Sequence, residues 1–532
     1  MVRTGPEAKI LAWFLFFFLL SALSETCRAG QTCGGDDTRY LPLDHPLYDY
    51  LDRLQERGRL KKLDRSLRPY TRQEILEAVN AQETPGLRGF ELEWLKIVRQ
   101  QANLEPAGET ARDSAEIAVI TRIEASQKLS NIRPERSLSE IGIGFGGKFS
   151  HFVFDARFLR APYQMGLRDT TSHRDPNVDP PFEEGLIRPM EGYLKGNFGL
   201  FGGAFSSEFF FGRMARNWSP ALQQSLILGS DALSFDHLAL ILRSRHLVFS
   251  HLVAPLDGMT YRQPSGTRTV RAHRFFSAHR LDIRVRDDLR FGITETAVYG
   301  GENHGFDPVL MNPFTSFRLA AIQDKIDHAN NTFVALDGYF NLEDRISFYG
   351  QFLFDDFLRD KHIQDRWACD LGATCRDIPL LGPTTAGLRA TIVSSFAYNT
   401  FQPFERYLYY GRPLGASLGD DYWRIYGFLR YFLSCRTDLM AHLTRTARGA
   451  QRVAGPIQGL LNSGDLAFPT PPVEQRTEAG LTLRWQPADW AQLNLEGGFF
   501  VQRNMNNHYG TDRRRGYANL TLSFYRDVIV SF

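Results

Sequence analysis

Two short stretches hold the residue types that could do chemistry in this chain. Arg213, Arg216, Asn217 and Trp218 fall within GRMARNWSP (212–220), and Asp355 and Asp356 stand together near the end of YGQFLFDDF (349–357). Carboxylates accept hydrogen bonds from hydroxyls, guanidinium and amide groups donate to them, and an indole face packs on the apolar face of a sugar ring. The set therefore suits a polysaccharide. It also suits an internal network in which Asp355 or Asp356 meets Arg213 or Arg216. Covalent chemistry is poorly served. No G-x-S-x-G nucleophile elbow occurs, GGENHG (300–305) lacks the Lys-Ser/Thr of a phosphate loop, and His237, His246, His251, His273, His279 and His304 show no ligand spacing. The expectation is a binding protein with no catalytic residue, metal or cofactor.

These residues need elements to hold them, and the pattern is that of strands. From Tyr517 to Phe532 the even positions are Ala518, Leu520, Leu522, Phe524, Arg526, Val528, Val530 and Phe532, while the odd ones are mostly polar. Such an ending resembles the carboxy-terminal insertion signal of bacterial outer-membrane β-barrels, with Val528, Val530 and Phe532 as the residues read by the insertion machinery. Arg526 breaks the apolar face. A lipid-facing arginine at mid-membrane costs roughly 2–4 kcal/mol, so a bulge at 525–527 is expected to turn it inward.

At the other end, Arg3 and Lys9 precede the apolar run Ile10–Leu23, too short to span a bilayer and suited to a signal peptide over 1–24, with a linker at 25–39. After residue 24 no run is long and apolar enough for a membrane helix. Aromatics make up 13%, with 41 Phe and 20 Tyr, against 23% charged residues. That mixture suits a barrel with lipid outside and water or polar plug inside. A net charge of +2 argues against a nucleic-acid partner. Export permits disulfides, and of the five cysteines Cys369 and Cys375 are the candidate pair.

Alternating segments joined by tight turns on one side and long loops on the other give about eighteen antiparallel strands over 115–532. They lie near 117–128, 139–147, 150–160, 188–198, 204–212, 220–232, 236–253, 267–285, 291–300, 331–341, 346–357, 386–400, 406–413, 421–433, 438–447, 477–486, 490–504 and 515–532. Tight turns are read at 286–289, 341–345, 402–405, 434–437 and 486–489, and long polar connections at 301–330, 358–385 and 448–476. In 346–357, Phe348, Phe352 and Phe354 should meet lipid and Tyr349, Gln351, Leu353 and Asp355 the lumen. Residues 40–104 read instead as a small periplasmic α-helical module. Pro46 opens one helix with the stripe Leu47, Leu51, Leu54, and Gly58 ends it. Thr71 and Glu74 form a capping box ahead of Ile75 and Val79, and Phe90, Trp94 and Ile97 mark a third helix. Its arginines, Arg53 through Arg72, could line a solvated face or meet an anionic polymer.

LPLDHPLY (41–48) and RPYTRQE (68–74), together with 212–220, QSLILGSDA (224–232) and 349–357, resemble the Wzi-type capsule-assembly family over nearly the whole mature chain. Ser219 stands where the family more often has Gly, and His45-Pro46 where it has His-Trp. The resemblance implies an eighteen-stranded, plugged outer-membrane barrel with a periplasmic helical part. It further implies a lectin that anchors capsular or extracellular polysaccharide at the surface of a Gram-negative cell; the chain is expected to act as a monomer. The competing expectation is a diffusion channel whose lumen charges set selectivity.

Overall fold

Apolar residues at every second position, on segments long enough to cross a bilayer, can be satisfied only by a closed sheet, because an open edge would leave backbone groups unpaired in lipid. The computed structural model describes residues 38–102 apart from 44 and 84. It also describes 113–531 apart from 129–133, 150–151, 166–186, 201–204, 223, 230–232, 263–267, 323–329, 357–364 and 456–466. The expected signal peptide (1–24), nearly all of the expected linker (25–39), and Phe532 lie outside the described residues.

Among the described residues three helices come first: α1 (Leu47–Glu56), α2 (Arg72–Asn80) and α3 (Gly89–Ala102). The strands follow as β1 (Asp113–Lys128), β2 (Pro134–Phe149), β3 (Phe152–Met165), β4 (Ile187–Leu200), β5 (Phe205–Met214) and β6 (Phe235–Arg243). Next are β7 (Leu247–Pro255), β8 (Met259–Arg262), β9 (Thr269–Arg286), β10 (Leu289–Gly301), β11 (Asn330–Leu342), β12 (Ile346–Asp356), β13 (Arg366–Arg376) and β14 (Thr384–Val393). A two-residue pair, β15 (Leu408–Tyr409) and β16 (Arg412–Pro413), precedes β17 (Tyr422–Ser434), β18 (Thr437–Arg448), β19 (Glu474–Ala488), β20 (Ala491–Arg503) and β21 (Arg513–Ser531). The main sheet has nineteen strands. β8 pairs only with β9, so eighteen make the wall. β1 closes on β21 in antiparallel register, Glu116 opposite Ser531 through Lys128 opposite Asn519.

The count agrees with the sequence reading, but by compensation. The described residues of 220–232 (220–222 and 224–229) and residues 406–413 are not wall strands; they lie in long loops folded into the lumen. The segment 236–253 is two strands, β6 and β7, and the supposed loop 358–385 contains β13. Turns at 286–289, 341–345 and 434–437 stand as read, and the one read at 486–489 falls later, at Asp489–Trp490, because β19 runs on to Ala488; Pro403–Glu405 is a helical turn inside the loop between β14 and β17. On β12 the faces alternate as expected: Phe348 is exposed to the outside, and Gln351, Leu353 and Asp355 are buried inside. Outward residues of neighbouring strands, among them Phe291, Ile293, Leu336, Leu388, Leu429, Leu443 and Leu481, continue an apolar belt.

β21 runs without a register shift through Arg526, which sits opposite Thr121, so the expected bulge is absent. β20 begins opposite Phe524, so on that side Arg526 lies beyond the end of its neighbour, where a charge costs less than at mid-membrane. The side chains of Arg526, Val528 and Val530 are outside the described residues. Cys369 and Cys375 both lie on β13, six positions apart, and both are free thiols. Six strand residues span about 20 Å, far beyond the ~7 Å limit for a disulfide. No bridge joins them.

The helical module docks on the short-turn end of the barrel. Its capping box forms, with Thr71 Oγ1 accepting from Glu74 N at 3.1 Å and Glu74 Oε2 accepting from Thr71 N at 2.7 Å. Leu47, Leu51, Leu54, Ile75, Val79 and Trp94 fill its core. Pro46 is the residue just before α1 rather than its first member. Gly58 ends the helix at φ +72°, and a Cβ there would lie 2.1 Å from Asn341 Nδ2 at the end of β11. Only glycine fits that approach. The arginines overturn both sequence readings, because Arg53, Arg57, Arg59, Arg65, Arg68 and Arg72 are all buried. Arg53 pairs with Asp438 (2.9 Å), Arg57 with Glu91 (2.6 Å) and Asp377 (2.9 Å), and Arg65 stacks on Tyr339 and Tyr349. They are the cement between module and barrel.

Candidate functional site

Two lumenal loops, 215–234 and 394–421, fold down from the long-loop end and meet the module coming up from the other. Gln351 shows how deep they reach. From the middle of β12 its Oε1 accepts from Leu226 N (2.6 Å), and its Nε2 donates to Trp218 O (3.0 Å). Tyr349, the previous inward residue of that strand, already carries Arg65 of the module. Along this wall module and loop are therefore adjacent. They are also joined by backbone: Arg68 N donates to Asn217 O at 3.0 Å, and Asn217 N to Arg68 O at 3.1 Å.

This burial decides the fate of most sequence candidates. Trp218 is 3% exposed and belongs to the apolar core of the plug with Leu226, Leu228, Phe333, Tyr398 and Tyr407. Arg216 donates through Nε to His237 Nε2 (2.9 Å) and lies over the rings of Tyr40 and Phe210. Asn217 Nδ2 donates to Leu222 O (3.0 Å). Asp355 Oδ2 accepts from Tyr398 N (2.9 Å), pinning the second loop to the wall. Asp356 is opposite Arg366 at an irregularity of the β12–β13 pairing, and its side chain is outside the described residues. The plug uses Trp218, Arg216, Asn217 and Asp355 internally.

Arg213 differs. It sits at the loop end of β5 directly opposite Asp236 of β6, and its Nε and Nη2 reach the two carboxylate oxygens at 3.0 and 2.5 Å. Both side chains remain open, 30% and 56% exposed. Tyr409 and Tyr410 complete the patch with rings 4.7 Å apart at 66°. Burial pushes the Tyr409 hydroxyl up to about 12, and Arg213, Tyr410, Asp236 and Asp257 all act on it. Tyr410 and Gly411 form the two-residue turn between β15 and β16, at φ +47° and +71°. Asparagine and glycine usually occupy such a turn, and a bulky aromatic there is strained. Asp257 Oδ1 accepts from Tyr410 N (3.0 Å) and from Arg274 Nη1 (3.0 Å), while Arg274 also donates to Phe404 O, Arg406 O and Leu408 O. That clamp holds the Tyr410 ring at the mouth, 42% exposed. Gly411 is the turn's signal in the sequence, and reading 406–413 as one strand passes over it.

The plug also titrates. Burial pushes the carboxyls of Glu405 and Asp420, in the loop 394–421, up to about 7, and Asp421 reinforces the shift at Asp420. A carboxyl whose folded pKa stands above its unfolded value of roughly 4 binds more protons when folded. Its stabilisation is full below about pH 4 and is lost as pH rises through about 7. The loop should therefore be better protected at about pH 5 than at about pH 8 in hydrogen exchange corrected for intrinsic rates. Glu405→Gln with Asp420→Asn should flatten the difference, and equal protection of the parent protein at both pH values contradicts this account.

An eighteen-stranded antiparallel barrel with an apolar belt, an inward-folded plug and an exposed polar-aromatic mouth defines an outer-membrane β-barrel of the filled-lumen class. The sequence matches the family described as capsule assembly protein Wzi over residues 100–516, more than half of the chain. The chain belongs to that family, and its place is the bacterial outer membrane. Among solved structures it is similar to Wzi of Escherichia coli, described as a carbohydrate-binding β-barrel involved in group 1 capsule assembly. That likeness has a TM-score of 0.58 at 13% identity and covers 91% of this chain and 99% of that one. OprD of Pseudomonas aeruginosa is similar at TM-score 0.43 and 10% identity, over 80% of this chain and 96% of that one. No curated protein matches the sequence.

Proposed function

We propose that this protein is a lectin that holds capsular or related extracellular polysaccharide at the cell surface, and that the mouth patch of Tyr410, Arg213, Asp236 and Asp257 makes the contact. The observation that carries the reading is the strained Tyr410. A bulky residue kept in the left-handed region by a dedicated carboxylate clamp signals a function for its exposed ring. The ring offers a stacking face, and the neighbouring fork pair offers donors and acceptors to hydroxyls. In this reading residues 1–24 are a cleaved signal peptide, 40–104 a periplasmic module and 115–532 the barrel. The short turns then face the periplasm, the last strand addresses the insertion machinery, and the barrel works as a monomer.

The test is binding of purified protein to polysaccharide from an encapsulated strain. Tyr410→Ala should weaken it about tenfold, the equivalent of ~1.4 kcal/mol, and Arg213→Ala comparably. Binding unchanged in both variants, with equal folded barrel, removes the patch from the site.

A further inference from the structure

On the lumenal face of β18, β19 and β20, away from the mouth, His442, Glu478 and Glu496 converge with ligand atoms all within 4.8 Å of one another. We propose that these three side chains form a binding site for a divalent cation of the zinc class. One imidazole and two carboxylates supply the nitrogen and oxygen donors that Zn²⁺ prefers, with a fourth position for water. Ligands around tetrahedral zinc stand about 3.3 Å apart, so small side-chain rotations close the set.

Three further observations point to a ligand. The hydroxyl of Tyr517 is shared between Glu478 Oε1 (2.9 Å) and Glu496 Oε1 (3.2 Å). One O–H carries one proton and cannot satisfy two anionic oxygens, whereas a dication between the carboxylates offsets their repulsion. His442 Nδ1 is buried with no hydrogen-bond partner among the described residues. The backbone also makes room: a Cβ on Gly480 would lie 2.5 Å from His442 Cε1 and 2.8 Å from the Tyr517 hydroxyl, and one on Gly498 would lie 2.9 Å from Tyr517 Cζ. Two glycines at inward positions of adjacent strands thus form a cradle for the imidazole and the phenol. Outside the donor set, Arg476 holds the other oxygen of Glu478 at 2.7 Å while stacked on Phe500. That is the kind of partner that fixes a ligand's orientation.

The experiment uses the full chain in detergent, stripped with chelator and titrated with ZnCl₂, with Co²⁺ as an absorption probe. One equivalent should bind, and the cobalt spectrum should report a site of low coordination number. His442→Gln should lower zinc affinity about a hundredfold or more, and Glu496→Gln likewise. Gly480→Ala, which keeps every ligand but fills the cradle, should also weaken binding. Heat-dependent gel mobility checks that each variant is a folded barrel. If the parent protein binds no zinc, or if both ligand variants bind as it does, the site does not exist.

Discussion

Replacing Glu91 by alanine should release the helical module from the barrel. Glu91 is fully buried and accepts from Arg57 Nε (2.6 Å), Arg59 Nη2 (3.3 Å) and Arg88 N (2.7 Å), with Arg376 of β13 at 3.9 Å. Arg57 is itself fully buried and continues to Asp377 and to Thr384 O of the barrel. Removing one partner of a buried pair strands the other's charge, at a cost of about 3–5 kcal/mol. Each 1.4 kcal/mol is tenfold, so the undocked population rises at least about a hundredfold. Trypsin cleavage between Arg57 and Arg65 reads that population when opening is fast. Glu91→Gln preserves shape and two acceptor contacts and should lose less. Equal cleavage of parent and Glu91→Ala would mean that the ion pairs do not hold the module.

The second large effect is expected at Trp218. Trp218→Ala leaves the backbone bonds to Leu228, Ser225 and Gln351 in place but empties the centre of the plug core, a change worth about 3–5 kcal/mol. The parent barrel should show no large, steady pores in planar bilayers, and the variant should show frequent transient openings as the 215–234 loop loses its anchor. Large steady conductance in the parent would favour the diffusion-channel reading. A silent variant would show that other contacts suffice to keep the loop in place. Polysaccharide binding should survive in this variant better than in Tyr410→Ala, because Trp218 is floor and Tyr410 is surface.

Much of this molecule was legible wherever local pattern and final environment agree. The Thr71–Glu74 box needs only its own helix. The faces of 348–355 follow from a strand with lipid on one side and packed lumen on the other. The reading failed where the environment inverts the pattern. The sequence of β13 reads as a loop because its lumenal side carries Asp370, tied to Arg389 and Thr391, while its outer side offers small residues such as Cys369, Ala373 and Cys375. Conversely, 220–232 reads as a strand because Leu226, Ile227 and Leu228 are apolar, yet those three are buried in the plug. Arg213 was chosen with its neighbours as one group, and only tertiary structure separates the exposed member from the buried ones. The module's arginines show the same limit, since charge in a sequence does not reveal that its partner lies hundreds of residues away.

The two hydrogen bonds between Arg68 and Asn217 have a mechanical consequence. They splice a segment anchored at one face of the membrane to a loop anchored at the other, so the two faces are not independent bodies. Free energy that shifts the loop is felt by the module, and by reciprocity whatever grips the module alters the loop to the same extent.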